Sequence, residues 1–121
     1  MSYKHVWEDK GLYRKYSGRV SGKEITQAVE EVHGHALFDS IRYVINNCLD
    51  VTQTDITSSE VTVLAALDKA AARSNPNIKI AIVATDSTIQ KLAELYGDLI
   101  KHSPYTSKIF TNLDEARAWA T

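Results

Sequence analysis

The chain reads as an α/β domain, a mixed and mainly parallel sheet of about five strands with four helices in the order ββαβαβαβα. Three observations predict this. Short β-branched and aromatic runs alternate with longer segments of helical periodicity, the pattern of right-handed βαβ crossovers. Each helical segment opens on a residue suited to capping its first turn. Two strand-like runs at the start are joined by a Gly-containing gap, which makes them an antiparallel hairpin.

The elements follow in order. Tyr3 to Glu8 and Leu12 to Tyr16 are the hairpin strands, separated by Asp9-Lys10-Gly11. Ser21 with Glu24 forms a capping box for the first helix. Its apolar face is Ile25, Ala28, Val29 and Val32, and Gly34 ends it. Ile41 to Asn46 is a strand with the centre Tyr43-Val44-Ile45. A loop rich in hydroxyls follows, and the second helix runs from Thr57 to about Ser74, stopped by Asn75-Pro76-Asn77. Ile78 to Ala84 is a near-continuous apolar run, as expected of a strand covered on both faces. Ser87 and Gln90 repeat the capping pattern before a stripe of Ile89, Leu92, Ala93, Tyr96, Leu99 and Ile100. Thr106 to Phe110 is the last strand, and Asn112 with Glu115 opens a short helix through Trp119.

The 121 residues suffice for one domain that buries roughly two-thirds of its unfolded surface. Net charge is −1, from 14 basic and 15 acidic residues, so the basic footprint of a nucleic-acid binder is absent. No apolar run is long enough to span a bilayer. The first residues lack the apolar core of a signal peptide, and a single cysteine, Cys48, fits a reducing compartment. A cytoplasmic location is expected.

The segment Asp50 to Glu60 carries five hydroxyl-bearing residues between a strand and a helix. Thr57 and Glu60 form a capping-box pair, with Ile56 and Val61 placed as a hydrophobic staple. A helix start also favours an anion, through free N–H groups and the helix dipole. Both readings, cap and anion site, apply to Thr57.

The order of elements, together with this segment, resembles the STAS fold of anti-sigma-factor antagonists. It is more closely similar to the broad bacterial SpoIIAA-like family, which is also compared with CRAL-TRIO lipid-binding domains. The segments that carry the resemblance are Tyr16 to Gly22, Arg42 to Ile45 leading to Asp50-Val51-Thr52, Leu67 to Arg73, and Ile80 to Asp86. It implies a STAS-like domain over residues 1–121. In the phosphorylated STAS proteins the acceptor lies in an Asp-Ser-Ser-Gly-Leu-type turn at the start of the second helix. The matching turn here is Asp55-Ile56-Thr57-Ser58-Ser59, with Thr57 at the acceptor's place and the Gly-Leu absent.

Ligands of open α/β sheets bind beyond the carboxyl ends of the strands. The loops after the third and fourth strands therefore define the expected rim, with Asp55, Thr57, Ser58, Asp86 and Ser87 as the regulatory or partner-binding residues. Loop anchoring by an Asx turn is the other role open to Asp55. His33-Gly34-His35 has no spaced cysteine or carboxylate set beside it, so these histidines read as surface residues and no metal is expected. His5 and His102 have no orienting partner visible in sequence, and Cys48 reads as a small buried thiol. No catalytic pair, cofactor or phosphate-binding Gly-rich loop is expected. Val6, Trp7, Tyr13 and Tyr16 put apolar bulk on the hairpin, which suits a covered sheet face, an apolar pocket or a homodimer edge. Two functions remain. One is a non-enzymatic regulatory domain that binds a protein partner through the start of the second helix. The other is a binder of a small apolar or lipid-like ligand of CRAL-TRIO type. A well-packed interior favours the first and an apolar cavity the second.

Overall fold

A computed structural model describes residues 2–121. Five strands, β1 (Tyr3–Trp7), β2 (Gly11–Val20), β3 (Tyr43–Thr54), β4 (Lys79–Val83) and β5 (Thr106–Phe110), alternate with four helices. These are α1 (Gly22–His33), α2 (Ser58–Ala71), α3 (Ser87–Ile100) and α4 (Leu113–Ala120), with a 3-10 turn at Phe38–Ser40. The sheet order is β1-β2-β3-β4-β5, antiparallel between β1 and β2 and parallel elsewhere. This is the mixed sheet that the sequence predicts.

Successive parallel strands are spatial neighbours, so every crossover moves the same way across the sheet. With right-handed crossovers, α1, α2 and α3 then land on one face. Their Val32, Val61, Ala65, Tyr96 and Ile100 are buried with Leu12, Val44 and Ile80 of the sheet. The opposite face belongs to α4, where Ala116 and Ala120 meet Tyr43, Ile45, Ala81, Val83 and Phe110. β4 is covered on both sides, which explains its apolar run. An order without reversal also lacks the switch point at which doubly wound sheets open a crevice.

Several boundaries differ from expectation, with β3 starting at Tyr43 rather than Ile41, α2 ending at Ala71 rather than Ser74 and β4 spanning Lys79–Val83, and two differences matter for the site. β2 continues to Val20 and β3 to Thr54, so Asp50 to Thr54 form strand rather than loop. Each supplies the other's partner: Ser17 faces Asp50, Gly18 faces Val51, and Val20 faces Thr54. Pairing thus overrides the turn-like look of Ser17-Gly18-Arg19. Two register shifts interrupt the pairing, and Gly18 lies beside one of them with φ 69°. This is a bulge conformation that other residues adopt with strain. At α3 the N-cap is Asp86, whose carboxylate accepts from the Ile89 N–H (3.1 Å), and Ser87 is the first helical residue. A carboxylate one residue earlier reaches the free N–H and leaves Ser87 no capping role. The Gln90 amide instead donates to the Ala84 carbonyl (2.8 Å).

The other caps form as expected. Ser21 and Thr57 each accept from the N–H three residues on, and Glu24 and Glu60 each accept from the cap's own N–H. Asn112 accepts from the Glu115 N–H (2.9 Å). Ile56 and Val61 both join the core on the helix-bearing face, as a staple requires.

Candidate functional site

The five rim residues, Asp55, Thr57, Ser58, Asp86 and Ser87, are all exposed. They stand at two levels of the sheet. β4 ends at Val83, paired with Asn47, whereas β3 runs seven residues further, from Cys48 to Thr54, before the turn that holds Asp55 and Thr57. Among the described residues no hydrogen bond joins the Asp55–Ser58 group to Asp86 or Ser87.

The helix starts at this end already hold anions of their own. The Thr57 N–H donates to Glu60 Oε1 (2.9 Å), and the Glu60 N–H donates to Thr57 Oγ1 (3.2 Å). Asp55 anchors a more distant segment than an Asx turn would, since its Oδ1 accepts from the Gly22 N–H at the start of α1 (3.2 Å). A Cβ on Gly22 would collide with the Glu60 carboxylate, so the starts of α1 and α2 are in contact. Glu24, Asp55 and Glu60 therefore supply the negative charge that the two helix dipoles favour. Ser58 is exposed, and among the described residues its hydroxyl makes no hydrogen bond.

Beneath this end lies a cavity of about 160 Å³ between the sheet and α1, α2 and α3. Its walls are mostly apolar, among them Val29, Val44, Leu64, Ile80 and Ala93. Thr54, Ile56 and Ile89 also line it and are half-buried, so it reaches towards the rim without including the five rim residues.

Several polar side chains line the same space. Arg14 on β2 is only 4% exposed. Its Nε–H donates to His5 Nε2 (3.0 Å), Nη1 donates to Asn46 Oδ1 (2.7 Å), and Nη2 approaches the Ala28 carbonyl at 3.4 Å. All three acceptors are uncharged, and among the described residues no carboxylate forms an ion pair with Arg14. Burial and the adjacent guanidinium push the His5 pKa down to about 4, so His5 is neutral at pH 7 and cannot itself bring a charge. Asp68 on α2 accepts from the Tyr96 hydroxyl and meets His33 Nε2 at 2.9 Å. The Tyr105 hydroxyl is buried and among the described residues has no hydrogen-bond partner, which costs about 1–3 kcal/mol for a group of this kind. Burial also pushes the Cys48 thiol up to about 12, so it stays protonated and a poor nucleophile at neutral pH.

Sequence reading missed Arg14, His33, Asp68 and Tyr105 as members of one site. Arg14 had a readable signal, because Leu12, Arg14 and Tyr16 share one side of a strand whose neighbours are core residues. His33 is a correction to the surface reading, since it is half-buried and hydrogen-bonded across to α2. His35 is exposed and stacks on Trp7 at 4.2 Å. His5 does have a partner, Arg14, on the neighbouring strand. Val6, Trp7, Tyr13 and Tyr16 do not make one patch, because Trp7 and Tyr16 face α1–α3 while Val6 and Tyr13 pair on the other side. Among the described residues no group of three or more His, Cys, Asp or Glu is placed to hold a metal, and no helix is long and apolar enough to cross a membrane.

No protein-family model matches the sequence, and no curated protein matches it. Solved structures do match in fold. The anti-sigma factor antagonist SpoIIAA in its unphosphorylated form is 12% identical with a TM-score of 0.63, over 96% of this chain and 94% of that one. An anti-sigma factor antagonist from Mycobacterium paratuberculosis is 20% identical with a TM-score of 0.63, over 98% and 94%. An uncharacterized protein of the DUF3478 family from Shewanella loihica PV-4, which has a SpoIIAA-like fold, is 12% identical with a TM-score of 0.61, over 99% and 94%. The chain has the SpoIIAA-like fold.

Proposed function

We propose that this chain is a non-enzymatic regulatory domain that docks a protein partner through the start of α2. The observation that supports this reading best is the exposed row Thr57, Ser58 and Ser59 at the head of that helix, in a fold shared with two anti-sigma factor antagonists. Asp55 adjoins it, and Asp86 and Ser87, at the other level where β4 ends, complete the proposed contact surface. Since the α2 capping groups satisfy one another, the site offers the partner hydroxyls and carboxylates rather than an empty anion cradle. Phosphorylation of Thr57 would set a dianion against Glu60 and disrupt the box, whereas Ser58 can accept charge with the cap intact. The test is a pull-down from host lysate with wild type, Thr57→Glu, Ser58→Glu and Ser87→Glu. Loss of a wild-type partner from the Ser58→Glu sample is expected, and an identical partner set for all four proteins would remove the rim from consideration.

A second reading, an interior small-molecule binder, is favoured by the cavity. Its volume of about 160 Å³ lies below the roughly 300 Å³ at which drug-sized pockets begin, so the guest is small rather than a long-chain lipid.

A further inference from the structure

We propose that the interior cavity binds a small amphipathic monoanion, an aromatic or short aliphatic carboxylate, with its head group on Arg14 and its hydrocarbon body among Val29, Val44, Leu64, Ile80 and Ala93. The proposal rests on the interior-ligand reading and names the chemistry of the guest.

A guanidinium carries five N–H donors and remains protonated in any protein environment. That of Arg14 is almost wholly buried, lines the cavity, and reaches three neutral acceptors, one of them only at 3.4 Å. A buried cation without a counter-ion is among the costliest arrangements in a protein interior. Two carboxylates lie nearby, and both are committed elsewhere. Asp68 receives Tyr96 and His33, and Glu31 receives the Tyr3 hydroxyl (2.7 Å) on the far side of His5. A carboxylate from outside accepts two parallel N–H bonds from such a fork. Tyr105 adds a second unpartnered polar group on the same cavity.

Size and sign then narrow the class. A dry apolar cavity of about 150 Å³ holds benzene, so the present volume takes a body of roughly six carbons. A neutral hydrocarbon fills the space and leaves Arg14 unpaired. A phosphate dianion exceeds the one positive charge available, and Arg14 lies within a strand rather than at a helix start that would add N–H donors.

The test titrates the wild-type protein at pH 7 with benzoate, hexanoate and toluene, followed by calorimetry and by amide shifts of cavity residues. Benzoate or hexanoate is expected to bind on the order of tenfold or more tightly than toluene, the range a charge-assisted hydrogen bond supplies. Arg14→Met is expected to remove that preference and leave toluene affinity unchanged. Carboxylate and toluene affinities that are equal in the wild type would overturn the anionic class while leaving an interior ligand in place. No binding of any of the three would overturn both. The decisive comparison uses wild-type protein, so it does not depend on the variant's folding.

Discussion

One sheet is covered in two different ways, and neighbouring residues of the same strands show the contrast. Tyr13 and Ile45 face α4, while Arg14 and Asn46, the next residues along, face α1–α3. On the α4 side the small residues Ala116 and Ala120 let an eight-residue helix lie close to the strands. The charges there are paired, with Arg117 Nη1 and Nη2 donating to Glu8 Oε1 and Oε2 at 3.0 and 2.9 Å, and Tyr43 donating to the same carboxylate. On the other side a larger apolar layer lines a cavity where, among the described residues, Arg14 has no ion-paired carboxylate and the Tyr105 hydroxyl has no hydrogen-bond partner. Burial is shared by both faces and polar satisfaction is not. The α4 face is built as a closed structural layer, and the α1–α3 face retains capacity for something more.

The largest effect is expected on the closed face. Ile45 is fully buried there, and Ile45→Ala is expected to cost about 2–5 kcal/mol in denaturant unfolding. The next comparison is the most discriminating. Ala116→Leu overfills a packed layer and is expected to cost about 1–3 kcal/mol, whereas Ala93→Leu grows into the cavity and is expected to cost less than about 1 kcal/mol. Equal losses would mean that the two faces are packed alike.

Acid separates the faces by pH. His5, on the α1–α3 side, has its folded pKa lowered from 6.5 to about 4. Over that interval the unfolded chain binds more protons than the folded one, so stability declines as pH falls from 6.5 towards 4. Glu8, on the α4 side, is held below the usual carboxylate range first by its hydrogen bonds from Arg117. Its contribution is present above the unfolded carboxylate pKa and is lost as pH falls through the lower folded value. His5→Gln is expected to flatten the first interval and Glu8→Gln the second, in urea midpoints measured from pH 7 to pH 3. A His5→Gln profile parallel to wild type would show that His5 does not titrate as described.

Local signals made the element order legible. The capping boxes at Ser21 and Thr57, the Gly11 hairpin and the stripe along α3 each act within a few residues, and sequence shows such interactions directly. Long-range pairing was hidden. Nothing near Asp50 announces that Ser17 would be its neighbour in strand, and nothing near Asp55 indicates Gly22 as its partner. The rim residues were accessible to reading because they follow strand ends. The cavity was not, because Arg14 on β2, Asp68 on α2 and Tyr105 just before β5 are distant in sequence and only the crossovers bring them together.

The extension of β3 beyond β4 gives the molecule an unequal resistance to opening. Tyr43 to Asn47 are held between two strands, whereas Cys48 to Thr54 pair with β2 alone, beside register shifts at Gly18. Backbone amides of that ribbon are expected to exchange with solvent well ahead of those in the five-stranded part. Val51 and Thr54 of the ribbon form part of the cavity wall. The segment expected to loosen most readily is therefore also part of the cavity wall, so opening of the ribbon would change the cavity's shape without global unfolding.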